Sequence, residues 1–178
     1  MRTSLVATLL TSVSLAASLA AAQQVTKETV AGVTNFMRLE TTVSCAGATK
    51  AEALPELKKM GFVSVINLRL PTEAGADIEA EAAAAKAAGL RYYFIPFNGQ
   101  MPDAAVADKF LDAITTKGGE PAFIHCASGN RAAAMWLIKR MSVDHWDEDR
   151  ATKEAAALGL TSPVLIKFAT EYGKTHQR

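Results

Sequence analysis

The run His125-Cys126-Ala127-Ser128-Gly129-Asn130-Arg131 constrains this chain more than any other stretch. Pro121, Ala122, Phe123 and Ile124 precede it as a short apolar segment, the pattern of a buried strand. Ala132 to Leu137 follow it as a helix-forming segment. A cysteine is thus expected at the carboxyl end of a strand, on a tight glycine-containing loop, with an arginine where the next helix opens. Backbone N–H groups at a helix N-terminus converge on anions, and the helix dipole adds to their pull. Successive amides around a tight loop act in the same way. The thiolate is the form of Cys126 that such dipoles favour, which makes it a candidate nucleophile facing an anion. A free cysteine also serves as a small buried apolar residue; the ordered set of strand, Cys, Gly, Arg and helix favours the reactive reading.

The rest of the chain alternates between strand-like and helix-like segments. Residues 36–44 are rich in β-branched side chains and read as one or two strands, and 62–66 as another. Thr49-Lys50-Ala51-Glu52 has capping-box spacing, with Pro55 arguing for a delayed or irregular start to the helix that runs to Met60. Residues 76–88 are nearly all helix formers and read as a solvent-facing helix, with Gly89 as its stop. A strand over 91–97 and a helix over 102–116 follow, the latter with Val106, Phe110, Leu111 and Ile114 on its inward face. After the Cys loop, helices are expected over 131–141, 147–158 and 163–172, the last begun by Ser162-Pro163. Such alternation implies an α/β fold, a mostly parallel central sheet flanked by helices on both faces. Ligands of such sheets bind beyond the carboxyl ends of the strands, where Cys126 falls.

At these residues the chain resembles the cysteine-dependent protein tyrosine and dual-specificity phosphatases. It is more similar still to a bacterial branch of that superfamily, whose phosphatase-like domain also occurs fused to metallo-β-lactamase-type hydrolases or NAD kinase-like domains. Val65-Ile66-Asn67-Leu68-Arg69, Tyr93-Phe94-Ile95-Pro96-Phe97 and Glu154 to Leu160 support the likeness, which runs from about Phe36 to Leu160. It implies a phosphate-binding loop between strand and helix. Cys126 is then the nucleophile that forms a phosphocysteine, Arg131 a bidentate fork for phosphate oxygens, and Ala127, Ser128, Gly129 and Asn130 the amide cradle. His125 and Arg69 are supporting residues, although a core histidine and an Arg69 salt bridge to the Glu73 region are equally good readings. Asp103 is the candidate general acid, yet it also suits the start of the helix over 102–116.

Two departures matter. Four residues separate Cys126 from Arg131, one fewer than in the wider phosphatase signature, although the bacterial branch shares the shorter interval. Rhodanese-like sulfurtransferases carry a loop of this length, and a smaller cradle suits a persulfide sulfur. Ala132 also stands where many phosphatases have a hydroxyl that assists the leaving thiolate. Cys45 occupies a position that in the bacterial branch belongs to a small residue in a turn near the active-site loop. If that geometry holds, Cys45 is a candidate redox partner of Cys126; otherwise it is a buried small residue.

The N-terminus reads as a secretory signal peptide over 1–22: Arg2, a short apolar core interrupted by Thr11, Ser12, Ser14 and Ser18, and Ala20-Ala21-Ala22 before Gln23. Cleavage after Ala22 would make the protein periplasmic or secreted, with no stable membrane insertion afterwards. Residues 23–35 are polar, a flexible lead-in, and 36–178 form the phosphatase-like domain. With 19 Lys and Arg against 18 Asp and Glu, nothing points to nucleic acid as a partner. His125, His145 and His176 are scattered without metal-ligand spacing, so neither metal nor cofactor is called for. The expected activity is metal-independent hydrolysis of phosphomonoesters, on a phosphorylated protein or a small phosphate. Sulfur transfer and non-catalytic anion binding are the alternatives, and oligomeric state is unreadable.

Overall fold

The computed structural model describes residues 24–178; the expected signal peptide lies outside the described residues. Six strands form one sheet: β1 (Val25–Val30), β2 (Val33–Leu39), β3 (Val43–Ala46), β4 (Ser64–Asn67), β5 (Arg91–Phe94) and β6 (Ala122–His125), in the order β1-β2-β3-β6-β4-β5. The pairs β3–β6, β6–β4 and β4–β5 are parallel, while β1–β2 and β2–β3 are antiparallel. The helices are α1 (Leu54–Lys59), α2 (Ile78–Ala87), α3 (Ala104–Ile114), α4 (Asn130–Ser142), α5 (Glu148–Ala157) and α6 (Pro163–Thr175). Among the described residues no helix is long and apolar enough to cross a membrane.

Alternation along the central strands sorts their side chains onto two faces. On one face Phe123, Val65, Phe36 and Ala46 meet Leu54 and Leu57 of α1 and Ala85 of α2. Phe36, Phe62 and Phe123 interlock there, with ring centroids 5.9–6.2 Å apart. On the other face Cys45, Ile66, Ile124 and Cys126 pack against α3, α4, α5 and α6. Helix α4 is the centre of that layer: everything from Ala132 to Ser142 is buried, including Trp136. Trp136 nevertheless satisfies its indole N–H on Glu154 of α5 at 2.7 Å.

Two expectations need correction. The segment read as a flexible lead-in forms β1 and the start of β2, joined by the two-residue turn Ala31-Gly32 with Gly32 at φ +80°. Its polar side chains suit an edge strand that buries only Val30. The helix over 76–88, read as solvent-facing, buries Glu81 and Ala85 one turn apart on its inner face. Pro55 has the foreseen effect: a 3₁₀ turn over Ala51–Ala53 precedes α1, and Pro55 sits in the helix's first turn.

Candidate active site

Cys126 leaves the carboxyl end of β6, the central strand of the parallel part of the sheet, and is fully buried. Its own N–H is held by the Ala46 carbonyl at 3.1 Å, so β3 guides the chain into the loop. Ala48 N–H bonds to the Ala127 carbonyl at 3.0 Å, and Asn35 donates its side-chain amide to the Ser128 carbonyl at 3.1 Å. The loop is thus fastened to β2 and to the segment after β3 through the carbonyls of Ala127 and Ser128. Gly129 N–H donates to the Cys126 sulfur at 3.1 Å. Gly129 stands at φ +101° as the N-cap of α4, a conformation that an L side chain would strain. Asn130 accepts from Thr161 N–H at 2.8 Å and Ser162 N–H at 2.9 Å, tying the loop to the start of α6.

Arg131 is held from behind. One terminal nitrogen (Nη1) donates to the Leu68 and Phe97 carbonyls at 3.0 and 2.9 Å and lies 2.6 Å from Glu73 Oε1; the other (Nη2) donates to Glu73 Oε2 at 2.9 Å. Residues beyond the ends of β4 and β5 therefore fix the guanidinium, which also interacts with Cys126. Gly99 lets the following loop run close, since a Cβ there would lie 3.2 Å from Arg131 Cγ. Burial works against the positive charge of Arg131, and the hydrogen bond it donates to Glu73 overrides this, so the guanidinium is held more firmly charged than usual.

Glu73 is the residue that sequence reasoning missed at this position. Its carboxylate also accepts from Leu70 N–H at 2.9 Å and Arg69 Nε at 3.3 Å. Partial burial alone would raise its pKa, but hydrogen bonds from Arg131 and Leu70, with the Arg131 charge, bring it down from 4.5 to about 2. Because the folded value lies below the ordinary one, this contact contributes its full stability above about pH 4.5 and loses it as the pH falls towards 2. Thermal unfolding of Glu73→Gln should therefore lack one acid-labile step: its deficit relative to the parent narrows as pH falls from about 6 to about 2.5. A deficit constant across that range would mean that Glu73 and Arg131 do not interact in solution.

The structure sorts the remaining expected residues. Arg69 is buried and uses its guanidinium on Glu73, Ala74 and Gly75, shaping the loop after β4 rather than opening onto the cleft. The salt-bridge alternative for Arg69 is the one realised. Asp103 caps α3 by accepting from Ala105 N–H at 2.9 Å, the helix-start role the sequence also allowed it. The orphan N–H groups of a helix start favour such a carboxylate, and one oxygen of Asp103 serves them. His125 points to the other face of the sheet, stacks on Phe123 and meets Glu81 of α2 at 2.6 Å. Asn67 donates to Glu81 at 2.9 Å and accepts from Arg69 N–H at 2.8 Å. A buried polar network thus supports the ends of β4 and β6 from beneath.

Above the loop lies a cleft of about 410 Å³, lined by Leu70, Glu73, Asn98, Gln100, Ser128 and Arg131, among others. Its lining is mostly amides, hydroxyls and one fixed ion pair. No group of three metal-binding side chains occurs among the described residues.

A cysteine loop between a central parallel strand and a helix, closed by a buttressed arginine beneath a polar cleft, is the arrangement of a phosphatase-like domain. Residues 34–143 match the family described as "Beta-lactamase hydrolase-like protein, phosphatase-like domain", and the chain belongs to that family. A beta-lactamase hydrolase-like protein of Xylella fastidiosa (strain Temecula1) is 32% identical over 121 residues, covering 66% of this chain and 26% of its own length. One from Agrobacterium fabrum is 32% identical over 104 residues, 57% of this chain and 24% of its own. The chain therefore spans about a quarter of the length of these curated relatives. Among solved structures, a putative phosphatase from Shewanella putrefaciens superposes with TM-score 0.66 at 21% identity, over 83% of this chain and 96% of that one. The core catalytic domain of the PP-IP phosphatase of S. cerevisiae, in complex with citrate, gives 0.64 at 16%, over 81% and 88%. TpbA of P. aeruginosa gives 0.62 at 19%, over 87% and 91%.

Proposed function

We propose that this protein hydrolyses phosphomonoesters through a phosphocysteine, with aryl phosphates such as phosphotyrosine as the favoured class. The observation that carries this reading is the convergence of the Gly129 N–H on the Cys126 sulfur beside an arginine held from behind. The Cys126 thiolate attacks phosphorus, an S–P bond forms, and the P–O bond to the leaving alcohol or phenol breaks. Water then cleaves the S–P bond, releasing phosphate and restoring the thiolate. Arg131 and the loop N–H groups stabilise charge on the transferring oxygens. Glu73 is ionised at neutral pH and has no proton to give, and Asp103 is engaged at α3. Leaving groups that need no protonation, phenolates above alkoxides, are therefore preferred. TpbA has also been solved in complex with pTyr, which supports the aryl class. Export through the segment 1–22 belongs to the same proposal and is checked by the N-terminal sequence of the protein recovered from the periplasm or medium.

The short interval between Cys126 and Arg131, together with the complete burial of the sulfur, favours a second reading. In it Cys126 takes the outer sulfur of thiosulfate, releasing sulfite, and passes it to cyanide as thiocyanate. Both assays on the reduced protein separate the readings. Release of phenol and phosphate that disappears in Cys126→Ser upholds the phosphatase; thiocyanate without phosphate release replaces it with sulfur transfer. Binding of phosphate or tungstate with neither product leaves an anion-binding module.

A further inference from the structure

Cys45 and Cys126 are both buried free thiols, and the sheet brings them to the same face. Cys45 pairs with Ile124 in the parallel ladder of β3 and β6, and Cys126 lies two residues beyond Ile124. Side chains two apart along a strand share a face, so the two sulfurs belong to diagonal neighbours in one core layer. From this juxtaposition we propose that Cys45 is the resolving cysteine of the site, trapping peroxide-oxidised Cys126 as a reversible Cys45–Cys126 disulfide. The inference rests on Cys126 being the reactive sulfur, as in the function proposed above.

The two thiols are placed in unequal surroundings, which sets the order of events. Cys126 has a backbone N–H and Arg131 beside it, the setting that makes a sulfur nucleophilic towards peroxide. Burial, followed by the neighbouring Cys126, pushes the Cys45 thiol well up, so it keeps its proton. A peroxide oxidises Cys126 by two electrons to the sulfenic acid while the peroxide O–O bond breaks and water or an alcohol leaves. The Cys45 sulfur then displaces the sulfenic oxygen: an S–S bond forms, the S–O bond breaks, and the Cys45 proton leaves with that oxygen as water. Diagonal Cα atoms across a ladder stand about 7–8 Å apart. A disulfide takes about 4.4–6.8 Å, so the start of the Cys loop moves towards β3 by about 1 Å. The movement draws the sulfur from the Gly129 N–H and silences the site; a dithiol reductant restores it. The same capture keeps Cys126 from irreversible oxidation to the sulfinic acid.

Limited hydrogen peroxide applied to the reduced chain, then non-reducing peptide mapping by mass spectrometry, tests this directly. The expected product is a Cys45–Cys126 linked peptide lacking two hydrogens, with activity lost and regained on adding dithiothreitol. In Cys45→Ala and Cys45→Ser, each checked for folding by circular dichroism, Cys126 should instead react with dimedone. Activity recoverable from those variants should fall by about tenfold or more relative to the parent after the same exposure. Sulfinic acid at Cys126 without a linked peptide in the parent, or variants that recover as fully as the parent, would overturn the proposal. The linked peptide is read without turnover. A chain that forms it but hydrolyses nothing loses only the phosphatase reading, and one that hydrolyses aryl phosphate but forms no bond loses only the resolving role.

Discussion

Arg131→Lys is expected to lower kcat/KM for an aryl phosphate by about 10²–10³-fold while leaving the protein folded. The arginine makes two sets of contacts at once. Its inner edge is held by the Leu68 and Phe97 carbonyls and by Glu73, and under the proposed function its remaining N–H groups bind the anion. A lysine ammonium has three donors in no fixed plane, so it meets the carbonyls or the phosphate but not both. Loss of a donor aimed at the transferring oxygens raises the barrier in the transition state, and the deficit should fall mainly on kcat. The check is steady-state kinetics beside the thermal midpoint of the same preparation. A variant with kcat/KM within about threefold of the parent would remove Arg131 from the anion site.

The second large effect is structural. Glu81→Ala should cost about 1–3 kcal/mol of unfolding free energy, because it leaves the buried His125 nitrogen without its partner and the Asn67 amide with Tyr92 alone. The His125 ring nitrogen and the Asn67 amide both end on that carboxylate, at 2.6 and 2.9 Å. Tyr92 shares the network through Asn67 at 3.0 Å, and burial followed by the Glu81 charge pushes its phenol up. Glu81→Gln retains one acceptor and should lose appreciably less. Urea unfolding of the three proteins decides the matter: equal midpoints for Ala and parent would mean that the network contributes nothing to stability. The consequence reaches the site as well. Asn67 fixes Arg69 N–H, Arg69 shapes the loop of residues 73–75, and Glu73 from that loop holds Arg131. Slackening at α2 should therefore also reduce turnover per folded molecule.

Local pattern was enough for the elements around Cys126. Apolar residues 121–124, a tight turn with Gly129 and the helix formers after Arg131 each act within a few residues, so order along the chain already specifies strand, loop and helix. The same holds for Ser162-Pro163, where a cap and a proline mark the start of α6. The first strand was harder to see, since Val25–Val30 is mostly polar and becomes a strand only because Val33–Leu39 pairs with it. Asp103 was legible only in part. A carboxylate before a helix suits a cap and an acid equally well, and the structure shows the cap.

By itself, then, the order of residues determined the alternation of strands and helices, the loop carrying Cys126 and Arg131, and the kinship that follows from them. What only the tertiary structure decided are the partnerships between distant segments. Glu73 meets Arg131 across 58 residues of chain and Glu81 meets His125 across 44. Cys45 meets the face of Cys126 through the register of β3 on β6. A charge or a thiol has no periodicity and no local signature. Its role is set by which side chain the packed sheet brings opposite it, and by the low dielectric that makes an unpaired buried group costly.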